Sequence, residues 1–394
     1  MLELEKDKLF KIYSDGLLKD VVPFWEKYSI DKEYGGFLTL LDADGKVYCS
    51  DKPMWIIGRE TWLFSWLYNK LEKRDEWLRL AKHGIDFIRK FGFDSDGRMF
   101  YLVTRDGKPL RKRRYLFTET FGVIALAEYA KATGQQQALD EAKELYKLIL
   151  KYHNGDLLEP KFFSDTRKMK AHAMPMILLA ISQVLREVDR DPLYEEVINS
   201  AIQEVFDDFV KPDFKALLET VGPKGEFIDQ PQGREVNPGH AIETAWFIME
   251  EARKRDDTKL AEKACQILDW SLDIGWDSEY GGIYYFRDIK GYPCMQYEHD
   301  MKLWWPHAEA IYATLLAYYL TGQEKYICWH KKIHDWTYSH FPDLEFGEWF
   351  GYLHRDGTVS TTIKGSFWKG PFHIPRMQLK SMKLLEEINS KKIE

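Results

Sequence analysis

Phe121-Gly122-Val123-Ile124-Ala125-Leu126-Ala127 and, further on, Met174-Pro175-Met176-Ile177-Leu178-Leu179-Ala180 carry no polar residue on any side. A helix of that kind in a globular protein is buried all round. The stretch between them reads differently. In residues 136–152, Ala138, Ala142, Leu145, Ile149 and Tyr152 make one apolar stripe, while Asp140, Glu141, Lys143, Glu144 and Lys147 face water. A one-faced helix is therefore followed by a wholly buried one, and the alternation recurs along the chain. It predicts outer helices over 4–28, 75–91, 136–152, 190–209, 257–275 and 323–340. The buried partners are expected over 58–72, 117–133, 171–187, 239–254, 303–321 and 371–388. Six such pairs make an all-α (α/α)6 barrel, an outer ring around an inner ring whose helices all run the same way. No Pro/Gly-rich linker interrupts residues 1–394, so a single catalytic domain is expected.

A weak internal repeat marks where the pairs join. Asp31-Lys32-Glu33-Tyr34-Gly35-Gly36-Phe37 recurs as Asp277-Ser278-Glu279-Tyr280-Gly281-Gly282-Ile283. Residues 94–100 and 346–351 are related. Turns at Asp44-Gly45, Asp106-Gly107, Asp356-Gly357 and Lys290-Gly291 predict short β-hairpins. Residues 161–169 and 224–234 look like degenerate copies. Each hairpin precedes a buried helix, so all belong at the end of the barrel where the inner helices start.

Composition narrows the function. The 394 residues carry a net charge of -7 with both signs dispersed, which argues against nucleic acid or an anionic membrane as partner. No apolar run is long enough to span a bilayer, and the charged first residues do not read as a signal peptide. Cys49, Cys265, Cys294 and Cys328 form no CxxC pair, so free thiols in a reducing cytoplasm are expected. The chain is rich in aromatics, with 14 Trp, 22 Tyr and 23 Phe, enough for a large core and for a site that stacks on flat ligand faces. Walker, GxGxxG, GxSxG and HExxH motifs are absent, so nucleotide-driven, hydride-transfer, serine-hydrolase and zinc-protease chemistry lack support. His330 and His334, spaced i, i+4 near Asp335, imitate a metal pair but are expected on a solvated outer face. Arg111-Lys112-Arg113-Arg114 is expected as hairpin surface near the mouth.

The first turns of the inner helices gather unusual residues. They offer Arg59, Glu119, His172, His240 with Glu243, Trp304, Trp305, His307 with Glu309, and His373 with Arg376. His240 and Glu243 share a helical face, so the carboxylate is placed to orient the imidazole. Arg59 near a helix N-terminus opposes the dipole, which points to a job such as holding an oxyanion. Two histidines from two helix starts point to a pair of proton-transfer groups rather than a metal site.

At these motifs the chain resembles the N-acylglucosamine 2-epimerase superfamily. The likeness runs from Gly58-Arg59-Glu60-Thr61-Trp62 through Phe117-Thr118-Glu119-Thr120 and His172-Ala173-Met174-Pro175-Met176. It continues in Asn237-Pro238-Gly239-His240-Ala241-Ile242-Glu243, Lys302-Leu303-Trp304-Trp305-Pro306-His307 and Phe372-His373-Ile374-Pro375-Arg376. It implies the same barrel and an isomerase that moves the proton on C2 of a ring-opened sugar. His240 and His373 would be the acid and base, with Glu243 orienting His240 and Arg59 stabilising O1. His172, Trp304, His307, Glu309, Arg376 and Glu119 would contact substrate. The N-acylglucosamine branch is favoured, with an aldose–ketose isomerase (mannose/fructose type) or a cellobiose 2-epimerase as alternatives, and a glycoside hydrolase or non-catalytic binder behind them. The resemblance implies no cofactor or metal, a possible nucleotide activator and a cytoplasmic homodimer.

Overall fold

The computed structural model describes residues 5–155, 157 and 166–390. Among the described residues, twelve long helices alternate as the sequence predicts. The outer set begins with α1, residues 6–28, in which Lys6–Asp15 and Val22–Tyr28 are joined by a π-helical turn at Gly16–Val21. The chain continues with α2 Met54–Lys70, α3 Asp75–Phe91, α4 Phe117–Thr133, α5 Gln136–Asn154 and α6 Ala173–Arg186. Next come α7 Pro192–Glu204, extended by a π turn at Val205–Phe209, then α8 Pro238–Arg255, α9 Thr258–Gly275, α10 Trp304–Thr321, α11 Glu324–His340 and α12 His373–Ser390. Even-numbered helices form the inner ring and odd-numbered ones the outer. Trp62 of α2 meets Phe372, just ahead of α12, with ring centroids 5.1 Å apart, and α1 packs against α12. The ring is thereby closed.

Close approach within the ring relies on small residues. A Cβ on Gly58 of α2 would lie 2.9 Å from the carbonyl oxygen of Phe121 in α4. Prolines sit in the first turns of four inner helices, at Pro175, Pro238, Pro306 and Pro375. Proline is tolerated there because the first turn has no intrahelical acceptors for its amides.

Short strands knit neighbouring pairs together at one end. Lys52–Pro53, just before α2, pairs with Leu102–Val103 of the following hairpin. Lys170–Ala171 pairs with Thr220–Val221, Glu235–Val236 with Arg287–Asp288, and Lys302–Leu303 with Tyr352–Leu353. The Asp-Gly turns close these hairpins with glycine left-handed at φ 82° (Gly45), 90° (Gly107) and 88° (Gly357). The repeat has a buried counterpart: Asp31 binds Lys52 and Arg105, and Asp277 binds Lys302 and Arg355. The expected copy at 161–169 lies largely outside the described residues, whereas the one at 224–234 includes a turn closed between Gly222 and Glu226.

Two expectations need correction. α2 starts at Met54, four residues early, because Met54-Trp55-Ile56-Ile57 are buried. Arg59 consequently lies in the second turn, where the opposing dipole is weaker. His330 and His334 are not solvated. They are 1% and 8% exposed, and Tyr13 of α1 bridges them through its hydroxyl at 3.1 and 3.0 Å. Both histidines belong to the buried stripe of α11, with Ile327, Ile333 and Thr337, while the adjacent Lys331 and Asp335 keep the solvated face. Among the described residues no helix is long and apolar enough to cross a membrane.

Candidate active site

The inner ring encloses a cavity of about 1010 Å³. Its wall at the hairpin end includes Arg59, His240, Glu243, Trp304, Trp305, His373 and Arg376. His240 is delivered by local sequence logic. Asn237 caps α8, its Oδ1 accepting the His240 N–H at 3.0 Å, and Pro238 and Gly239 fill the first two helical positions. Trp305 sits between the two histidines, with ring centroids 5.0 Å from His240 and 5.7 Å from His373. A Cβ on Gly239 would strike the Trp305 ring at 2.5 Å.

Each histidine has its own carboxylate. Nδ1 of His240 lies 3.1 Å from both oxygens of Glu219. This corrects the expectation for Glu243, which is turned away from His240 to pair with Arg376. The spacing i, i+3 shares a face, but Arg376, reaching over from α12, competes for that carboxylate and is the nearer partner. Glu219 stands beside the strand Thr220–Val221 and carried no motif or helical spacing, so the sequence reading missed it. Nδ1 of His373 lies 2.6 Å from Glu309, which also takes hydrogen bonds from Trp246 Nε1 at 2.7 Å and Arg376 at 2.7 Å. Among the described residues no hydrogen bond is made by Nε2 of either ring, and both histidines line the cavity.

Electrostatics separates the two. Burial opposes charge on His240, but Glu219 outweighs it and raises the proton affinity above the ordinary histidine value. The same contact holds Glu219 down at about 2. His373 goes the other way: burial, with the charges of Arg376, Arg59 and His240 nearby, pushes it well below the ordinary value against the pull of Glu243. The two imidazoles of the free site are thus biased in opposite directions, His240 toward its charged form and His373 toward its neutral one. Arg59 is stacked over Phe121 at 4.1 Å and Trp55 at 4.8 Å, and donates to the Trp368 carbonyl at 3.0 Å. Burial lowers its pKa to about 9, which leaves it charged at neutral pH.

Four residues expected to touch substrate do not line the cavity. His172 is fully buried, with Nε2 3.0 Å from the Thr244 hydroxyl and Nδ1 3.7 Å from Glu219, so it buttresses Glu219. His307 is also fully buried. Its Nδ1 donates to the Leu303 carbonyl at 2.7 Å and its Nε2 accepts the Ile283 N–H at 2.8 Å, which spends both nitrogens. Burial drops its pKa to about 3. Glu309 holds His373, as above. Glu119 is tied to Arg98 at 2.5 Å and to the Met99 N–H at 3.1 Å. First-turn position alone did not distinguish a side chain facing the axis from one facing the neighbouring helix. Trp304 lines the wall as expected, but Trp305 does so as well and is the one flanked by the histidines. Oxygen and nitrogen atoms of Glu243, Glu309 and His373 come within 4.8 Å of one another, a spacing suited to a metal ion. The Arg376 guanidinium bonds to both carboxylates and supplies the positive charge there.

The fold and site define an (α/α)6 barrel enzyme with two carboxylate-backed histidines facing one axial cavity. The sequence profile of N-acylglucosamine 2-epimerase (GlcNAc 2-epimerase) matches residues 35–374. The N-acylglucosamine 2-epimerases of Mus musculus and Bos taurus are each 35% identical, over 95% and 99% of this chain and 91% and 95% of theirs. The structure of cellobiose 2-epimerase from Bacillus thermoamylovorans superposes with a TM-score of 0.84 at 25% identity, covering 96% of this chain and 99% of that one. The chain belongs to the N-acylglucosamine 2-epimerase family.

Proposed function

We propose that this protein is a sugar 2-epimerase that interconverts N-acylglucosamine and N-acylmannosamine, the whole chain acting as one catalytic domain. The observation that carries the reading is the pair His240 and His373, each backed by its own carboxylate and both facing one cavity. Identity of 35% across nearly the whole chain to N-acylglucosamine 2-epimerases supports the substrate class.

The chemistry follows from the geometry. Opening the pyranose exposes a C1 aldehyde, which acidifies the proton on C2. Neutral His373, oriented by Glu309, takes that proton through Nε2. The electron pair moves to O1, and Arg59 stabilises the oxyanion. Charged His240, backed by Glu219, returns a proton to the opposite face of C2, and the stereocentre inverts. The other epimer reacts with the roles exchanged. Arg376 holds Glu243 and Glu309 in register. No atom changes oxidation state overall, so the reaction needs neither a hydride carrier nor a redox metal. The resemblance further supports a cytoplasmic homodimer, which sedimentation and cell fractionation would test.

The test is proton NMR in D2O with N-acetylmannosamine. Loss of the C2 proton signal as N-acetylglucosamine appears is expected. A ketose product would make the protein an aldose–ketose isomerase, and an unchanged C2 signal would sink the reading.

A further inference from the structure

The basic run Arg111-Lys112-Arg113-Arg114 does not behave as one unit. Arg111 is exposed and Arg113 is anchored to Asp94 and Asp96. Arg114 instead lines the cavity. Among the described residues it forms no ion pair, and its buried Nε has no hydrogen-bond partner. Its guanidinium rests on Trp55 at 5.3 Å and Tyr101 at 5.9 Å. Trp55 therefore carries two arginines, Arg114 and Arg59. The charge of Arg114 is felt at both Arg59 and Tyr285, two other residues of the cavity wall.

The neighbouring backbone is built to hold it there. Tyr115 adopts φ 50°, a left-handed conformation that a bulky residue takes only when its surroundings impose it. The Arg98 guanidinium donates to the carbonyl of this residue at 2.5 Å and so holds the turn that carries Arg114. Arg98 is in turn buried and fixed by Glu119. This gives Glu119 a use that its place in the first turn of α4 did not reveal.

We propose that Arg114 is a substrate-binding residue, and that the Glu119–Arg98 pair positions it by clamping the Tyr115 carbonyl. The inference rests on the sugar epimerase reading. Arg114 precedes α4 by three residues and comes from the hairpin rim, whereas the histidines stand on helix first turns. Its donor fork is thereby offered to sugar oxygens other than O1, which Arg59 serves, and it makes no contact with the proton-transfer histidines among the described residues. Such a contact is the same in ground state and transition state, so losing it weakens binding without slowing the chemistry.

The experiment compares wild type, Arg114→Gln, Arg114→Lys and Glu119→Gln by calorimetric titration with N-acetylglucosamine and by steady-state kinetics. Arg114→Gln is expected to raise Kd and KM about tenfold, the scale of a hydrogen bond from a charged donor, with kcat nearly unchanged. Arg114→Lys should recover part of the loss. Glu119→Gln should reproduce the KM effect in weaker form, because the clamp loosens while Arg114 remains. If wild type binds the sugar and Arg114→Gln binds it equally well, the proposal is overturned while the epimerase reading stands. A fall in kcat with KM unchanged would overturn it too, placing Arg114 in the chemistry or in the folding of the rim. If wild type binds no N-acyl sugar, the epimerase reading falls and this inference with it.

Discussion

At the scale of single residues, the site consists of two imidazoles made unlike by their neighbours. Replacing either His240 or His373 by alanine should lower kcat by roughly 10² to 10⁴, the range of general acid–base catalysis, with the circular dichroism spectrum unchanged. Activity near the wild-type level in either variant would remove that residue from the proton transfer. Glu219→Gln makes a sharper test. Glu219 stabilises charged His240, so its folded pKa stands above the ordinary 6.5. The acid form is present below that pKa and lost as pH rises through it. Removing Glu219 lowers the pKa, so the alkaline limb of kcat/KM for the direction using His240 as acid should move to lower pH. An unmoved limb would mean that Glu219 does not tune His240. The stability this contact contributes follows the same sign, full below 6.5 and lost as pH rises through the raised value. The sequence displayed both histidines because their motifs start helices. It hid Glu219, since a carboxylate beside a two-residue strand leaves no periodic trace.

At the scale of elements, the six helix pairs were legible because periodicity reports burial directly: wholly apolar inner helices, striped outer ones. The Asp-Gly turns announced the hairpins, but not that the strand ahead of an inner helix pairs with the hairpin of the next repeat. That is a long-range choice without a local signature. Direction around a helix was also hidden. His307 and His172 begin helices much as His373 and His240 do, yet they point between elements rather than toward the axis. The contact between Gly239 of α8 and Trp305 of α10 is an element-scale device, since only a residue without a Cβ lets the two helix starts approach. Gly239→Ala should push the Trp305 ring against its neighbours at a cost of about 1–3 kcal/mol, typical of overpacking. The melting temperature should fall and kcat should fall with it, because Trp305 touches both histidines. A variant with wild-type kcat would show that the ring's position is immaterial to the chemistry.

At the scale of the whole molecule, the barrel holds buried histidines that take no part in the cavity. Burial sets His307 and His330 at about 3 and His334 at about 4, against 6.5 when unfolded. Between those values the unfolded chain binds more protons than the folded one, so stability should decline as pH falls from about 6.5 toward 4. Calorimetry across that window measures it, and a melting temperature flat from pH 7 to pH 5 would contradict the assignment. The parallel run of the inner helices has a further consequence. Each helix carries a partial positive charge of about half a unit at its N-terminus. Six such ends converge on the same rim, so the scaffold itself creates a standing field biased toward anions, present before any side chain is considered. A carbanion formed at C2 and delocalised onto O1 would therefore arise in a potential that already favours it. Small inorganic anions with no likeness to a sugar should compete for the same space.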